Sequence, residues 1–465
     1  MPDPFRHYEG APVLDLPADP PVPGIPALEV LRGALGSTPA LDGPAFLSEL
    51  LFYSAAISAS KCVPSTGYRY ALRVNPSSGN LHPTEFHFVS RGVAGWPDGL
   101  YHYRPSAHMA EQRATGEIIL NRATHPAPLV FVLTSIVWRE AWKYRERAYR
   151  YCLHDVGHAW QALSLAARAM GCSTFARGHF DDDDIARACR LPEDEWPMLL
   201  IEVNGAPIPL REPDSAEIVW HAGRPNRLSM VEIPYATIEG IRNATRLPAG
   251  CIPGPAPIEK PLPRPQQITL PPPASAPRGF GETARARRSA LDFVGGEQSL
   301  SLPQLSALLE AASTPFSADF ACTRLVELYL YVHRVDGLAP GVYRYWRELA
   351  GLEQLRTGDQ RVVAAGLSLG QDLAGNACVA FSMIGDLDRA AHIYGDRGYR
   401  YVYFEAGAIG QRLYLGAEAL GLGATGIGAF YDDEVHRYLT ISPAQGQVVY
   451  HFAVGYPISD PRLEA

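Results

Sequence analysis

Three short stretches combine residue types that could hold and orient a ligand. The first is Arg73-Val74-Asn75-Pro76-Ser77-Ser78-Gly79-Asn80-Leu81-His82-Pro83. Bare backbone and small hydroxyls from Pro76 to Asn80 would let a planar ligand approach closely, while Ser77, Ser78 and Asn80 supply directional hydrogen bonds. The second is Arg287-Arg288-Ser289. Two guanidiniums and a hydroxyl form a phosphate clamp, although such a triplet alone is more often a solvated helix start. The third is Gly421-Leu422-Gly423-Ala424-Thr425-Gly426-Ile427-Gly428. Here Gly426, Ile427 and Gly428 can turn backbone N–H groups toward a ring or a phosphate, and the same glycines could simply make a tight helix-to-strand connection.

The elements that must position these stretches repeat along the chain. Tyr149-Arg150-Tyr151 matches Tyr399-Arg400-Tyr401 at an offset of 250, and the register continues through Gly171 and Gly421 to Gly178 and Gly428. Upstream the offset is 242, where Gly99-Leu100-Tyr101 faces Gly341-Val342-Tyr343. Each copy reads as an α+β unit. Glu85 to Ser90 and Leu325 to His333 have strand patterns, as do Leu129 to Ser135 and Ala377 to Ile384. Arg147 to Met170 and Arg397 to Leu420 are long proline-free helices stopped by Gly171 and Gly421, and their small residues suit close packing between units. Residues 1–210 form a first unit and residues 281–465 a second. Residues 211–280 form an irregular, Pro-rich linker, with ten prolines between Cys251 and Phe280.

Within this frame the sequence resembles the nitroreductase superfamily of FMN enzymes, and among them the SagB-type dehydrogenases. The resemblance runs from Leu28 to Pro207 and from Arg285 to Arg462. It rests most on the Pro-Ser-Ser-Gly-Asn-Leu-His-Pro run and on Lys143-Tyr144 ahead of the Tyr149-Arg150-Tyr151 helix start. It implies an intimate pair of units, here an intrachain pseudo-dimer, with FMN between them. The Arg-Ser motif, the glycine loop and a C-terminal basic residue, for which Arg462 is the candidate, would come from one unit. The Pro-Ser-Ser-Gly-Asn turn would come from the other. Lys143 and Tyr144 would be catalytic, since a lysine or phenol beside a flavin can do acid–base work. At Leu291 the superfamily often has another basic residue.

The two copies are not equivalent. Opposite Pro76–Asn80 the second unit has Ala318-Asp319-Phe320-Ala321-Cys322, which puts bulk and charge where a flavin needs small groups. Opposite Gly426-Ile427-Gly428-Ala429 the first unit has Ala176-Arg177-Gly178-His179, and Lys143 faces Ile393. Under the two-sided geometry, the chain should hold one complete FMN site and one dead cleft.

Composition narrows the function classes. A 47% hydrophobic, 19% charged chain of 465 residues with a net charge of −8 is globular, and lacks the basic blocks expected of a nucleic-acid or anionic-membrane binder. Seven scattered Cys without a CxxC pair read as reduced structural thiols, and the first residues do not resemble a signal peptide, so a cytoplasmic location is expected. No metal is expected: His154 and His158 face Phe404 and Ala408 across the repeat, so packing explains them better, and Asp181 to Asp184 reads as a helix cap. The expected activity is an FMN-dependent dehydrogenase or oxidase that takes two electrons from a small molecule or an azoline-like peptide, with oxygen or NAD(P)H as electron partner. The alternatives are an NAD(P)H-dependent nitro or quinone reductase and a non-catalytic flavin-binding or peptide-presenting scaffold. A monomeric pseudo-dimer and a homodimer are both compatible with the repeat.

Overall fold

The computed structural model describes residues 1–120, 127–214, 216–248, 267–320 and 324–464. Cys251, Ala321, Cys322 and the proline-rich segment at 249–266 lie outside the described residues. Two long helices, Ala148–Ala169 and Gly398–Ala419, form the centre of the molecule, each ending near the glycine read as its stop. They cross where Gly157 meets Gly407. A β-carbon at Gly157 would lie 2.3 Å from the Phe404 carbonyl oxygen, and one at Gly407 would lie 2.2 Å from that of His154. Only glycine permits this backbone contact.

Each unit lays an antiparallel sheet on this helix pair. The first sheet runs Val219–Trp220, Met109–Thr115, Gly99–Arg104, Thr84–Ser90, Leu129–Ser135, Trp196–Asn204, Ser173–Arg177, with Val13–Asp15 beside Met109–Thr115. The second runs Ile268–Thr269, Gly351–Thr357, Gly341–Trp346, Val326–Val332, Val379–Gly385, Gln447–Gly455, Gly423–Ile427. The strand pairs read from the sequence are antiparallel neighbours, with Phe88 opposite Tyr101 and Leu330 opposite Tyr343. Alternation sends Phe86 and Phe88 toward the helices, and one hydrophobic core runs on from Trp160 and Leu163 into Phe404 and Leu413. Burial of side chains this size contributes about 1.5–3 kcal/mol each, so the units stabilise one another.

Pseudo-twofold ion pairs lock the crossing. Arg147 and Arg150 bind Asp432 at 2.9 and 2.8 Å, while Arg397 and Arg400 bind Asp182 at 2.7 and 2.8 Å. The acidic run at Asp181 to Asp184 is therefore more than a solvated cap. Asp181 does cap the helix Asp182–Ala188, but the Asp182 carboxylate turns inward to two buried arginines of the other unit. The stretch read as an irregular linker also contains a helix, Ala236–Thr245, because Ile238 and Thr245 can bury one face.

Chain ends cross between units as well. The segment 460–464 pairs with the hairpin arm Ile57–Cys62 and Arg69–Arg73, where Cys62 N–H donates to Arg462 O at 2.8 Å.

Candidate active site

A cavity of about 690 Å³ opens between the units. Pro76 to His82 and Tyr144 line it from the first unit, and Arg287, Arg288, Ser289 and Thr425 to Ala429 from the second.

The turn's own side chains hold it in place. Asn80 Nδ2 donates to the Ala71 carbonyl at 3.0 Å, and His82 Nε2 lies 3.0 Å from Asn80 Oδ1. Ser77 Oγ accepts from His82 N–H at 2.8 Å, and Ser78 gives both its N–H and its hydroxyl to Asp155 at 3.1 and 3.0 Å. The side chains of Ser77, Ser78 and Asn80, read from the sequence as groups for a ligand, are thus largely engaged in building the turn. Gly79 sits at its apex with φ +58°. A β-carbon there would lie 2.5 Å from the Tyr144 hydroxyl and 3.1 Å from Lys143 Nζ, so both groups overhang this glycine. Lys143 itself is exposed at the rim.

Arg-Arg-Ser does not start a helix; it leaves one. Arg287 follows the helix Phe280–Ala286, and Arg288 Nη1 takes the carbonyls of Arg285 and Arg287 that the helix end leaves unpaired. Arg287 crosses to the first unit, giving Nε to Val74 O at 3.1 Å and Nη2 to Arg73 O at 3.2 Å. Its Nη1 is buried without a partner. Among the described residues, no carboxylate forms an ion pair with Arg287 or Arg288. Burial and the neighbouring Arg287 and Arg285 bring Arg288 down to about 10. Leu291 is 40% exposed.

The glycine stretch is an edge strand, Gly423–Ile427, rather than a loop. Gly426 N–H donates to the Tyr414 hydroxyl at 2.9 Å, and that hydroxyl sits 2.8 Å from Ser289 Oγ, so one tyrosine ties the two second-unit motifs together.

Arg462 is not brought to the cavity wall. Asp460 holds its guanidinium at 2.7 and 2.8 Å, and Lys61, on the same carboxylate at 2.8 Å, lines the cavity instead. Sequence reasoning missed Lys61, Asp155 and Tyr450, while Asn75, inside the first motif, and His158, assigned there to packing, are wall residues. The Asn75 Oδ1 atom is buried without a partner. Burial lifts the Asp155 carboxyl to about 7 and brings the His158 imidazole down to about 3. A signal for two of these existed: His158 stands against Ala408, and Asp155 against the acidic Glu405.

At the pseudo-symmetric position, Asp319 and Phe320 of the second unit pack against their surroundings. Asp319 accepts the Gly178 and His179 N–H groups at 2.8 and 3.3 Å. Phe320 stacks on Tyr401 at 4.4 Å, and its carbonyl accepts the Tyr394 hydroxyl at 2.9 Å. These two residues occupy the repeat positions of Ser77 and Ser78.

The sequence profile of the nitroreductase family matches residues 55–205 and 284–456, and the chain belongs to that family. A protein of Methanocaldococcus jannaschii, provisionally named a nitroreductase, is 34% identical over 167 residues, covering 33% of this chain and 81% of its own. A crystal structure from Anabaena variabilis, also provisionally a nitroreductase, is 26% identical, with a TM-score of 0.78 over 98% of this chain and 94% of that one. Among the described residues, no helix is long and apolar enough to cross a membrane.

Proposed function

We propose that the chain is an FMN-dependent oxidoreductase with one composite site per chain, acting as a dehydrogenase of the SagB type on a small-molecule or azoline-like peptide substrate. The observation that carries this is the convergence of an unpaired Arg287–Arg288 pair and the Pro76–Asn80 turn on one cavity, while Asp319 and Phe320 plug its twin.

The donor set fits the cofactor. FMN carries ring N–H and carbonyl groups and a phosphate dianion. The wall offers an unpartnered acceptor at Asn75 Oδ1, an unpartnered cationic donor at Arg287 Nη1, and Arg288 without a carboxylate. A cavity of about 690 Å³ lies in the range of cofactor pockets. Arg287, Arg288 and Ser289 would hold the phosphate, and the turn and Gly426 to Gly428 would flank the ring. Arg462 would act indirectly, by orienting Asp460 and through it Lys61.

Bound FMN supplies a two-electron carrier. The protein's part is to exclude water, to orient substrate over the turn, and to take up the accompanying proton through Lys143 and Tyr144 at the rim above Gly79. Burial pushes the Tyr144 phenol upward, and Glu140, Tyr151 and Asp155 add to this. It therefore acts as a neutral hydrogen-bonding group. The provisional name of the relatives supports a second reading, an NAD(P)H-dependent nitro or quinone reductase.

The absorption spectrum of the pure protein, with flavin stoichiometry, tests the proposal. One FMN per chain is expected; two per chain, or a protein that cannot be loaded, would overturn it. Bleaching by a peptide azoline rather than by NADPH separates the two substrates.

A further inference from the structure

A second acidic group stands behind the turn, unused by the site as described. Glu140 lies on the helix Val137–Tyr144, one turn before Lys143, and is 0% exposed. Neither of its carboxyl oxygens completes a hydrogen bond, although the Ser77 hydroxyl lies beside it. Ser77 lies beside Asp155 as well. Because Ser77 Oγ already accepts the His82 N–H at 2.8 Å, its single proton can serve only one of the two carboxyl groups at a time. Glu140 is faced by Asp155, Tyr151 and Cys152 from the first long helix, and by Lys143 and Tyr144 from its own. Lys143, the cation among these, is exposed. Two buried carboxyl groups thus stand together with no buried cation among the groups named here, and such a pair cannot comfortably hold two charges. Burial first, then Asp155, pushes Glu140 well above the ordinary carboxylate range.

The repeat shows that the fold does not require this acid. At the offset of 250, Glu140 corresponds to Ala390, which is 0% exposed in a helix of the same length, Leu387–Tyr394. The second unit closes the same corner with a methyl group. An unsatisfied buried carboxyl is kept in the unit that bears the turn and is missing from the unit whose cleft is plugged.

We propose that Glu140 and Asp155, joined through the Ser77 hydroxyl, form a proton-sharing carboxyl pair that stores the proton exchanged with substrate at the open cleft. Asp155 lines the cavity and touches the site directly; Glu140 acts through it as a positioning residue. The use of the stored proton rests on the FMN reading above. Two-electron oxidation of a substrate releases a hydride equivalent, which bound FMN would accept, and a proton. That proton binds the Tyr144 oxygen as the phenol gives its own proton inward to the carboxyl pair. Tyr144 is neutral before and after, the pair gains one proton, and the substrate keeps one electron pair as a new double bond.

Infrared difference spectra of the whole protein between about pH 5 and about pH 9 test the pair, with or without bound flavin. A protonated-carboxyl band that titrates near neutrality is expected in the native chain. It should move or vanish in both Glu140→Gln and Asp155→Asn. Glu140→Gln should leave FMN affinity within about twofold, shift the pH profile of turnover and slow it by about tenfold or more. Glu140→Ala, which installs the second unit's residue, should unfold no earlier than the native chain. An unchanged band and pH profile in Glu140→Gln, or a marked loss of stability in both Glu140 variants, would overturn the proposal. A band that behaves as expected in a protein that takes no FMN would instead refute the cofactor reading and leave the carboxyl pair standing.

Discussion

Arg287 Nε donates to the Val74 carbonyl at 3.1 Å, across the boundary between the two units. The cation expected to meet a phosphate is thus fixed by the backbone that opens the opposite unit's turn. Neither unit alone can present both sides of the site.

Replacing this cation should separate binding of the phosphate from binding of the ring. Arg287→Ala should weaken FMN by about tenfold or more while changing riboflavin affinity little, as a lost charge-assisted contact of about 1.5–3 kcal/mol requires. Flavin fluorescence titration with both ligands checks it; equal losses for the two would place Arg287 away from the phosphate.

The plugged cleft should be structural. Phe320→Ala removes a ring stacked at 4.4 Å on Tyr401, and should cost about 3–5 kcal/mol in denaturant unfolding. Flavin content should remain at one per chain, because the second unit's turn is not restored by this change.

At the rim, Gly79→Ala should leave the protein yellow but impair turnover by about tenfold or more, since its φ of +58° and the Tyr144 hydroxyl leave no room for a methyl group. Lys143→Ala should likewise keep the colour and lose turnover. Full activity in that variant would exclude Lys143 from the chemistry.

The pseudo-symmetric ion pairs should differ in strength. Asp182→Asn strands two arginines that are each 1% exposed, and a loss of about 3–5 kcal/mol is expected. Asp432→Asn frees Arg147 and Arg150, whose side chains are 30% and 29% exposed, and should cost about 1 kcal/mol or less. Urea unfolding of the two variants at one pH measures the difference.

Two buried carboxyl groups should act on stability with opposite signs on the acid side of neutrality. Arg139 and the His102 hydrogen bond hold Glu85 down to about 2 despite burial, a folded value below the unfolded one. Its contribution is present above an unfolded value of about 4.3 and lost as pH falls toward 2. Asp155 has the opposite sign, raised by burial to about 7. Folding then disfavours its ionised form, so stability declines as pH rises from about 4 and levels off above about 7. Thermal unfolding across pH should show a smaller decline between about pH 4 and about pH 7 in Asp155→Asn than in the native chain.

The sequence by itself determined the repeat, the α+β class and the inequality of the two clefts. Hydrophobic periodicity and glycine stops are local properties, and a duplicated chain carries its own comparison: Asp319 and Phe320 could be set against Ser77 and Ser78 without coordinates. Tertiary structure decided where each polar atom is spent. Ser77 and Asn80 turned out to brace the turn and Ser78 to tie it to Asp155, Arg462 to serve Asp460, and Asp182 to reach across to Arg397 and Arg400. Lys61 and Glu140 entered the account only when folding brought distant segments together. Residue type limits which bonds a side chain can make, but burial and partners set by long-range packing choose among them.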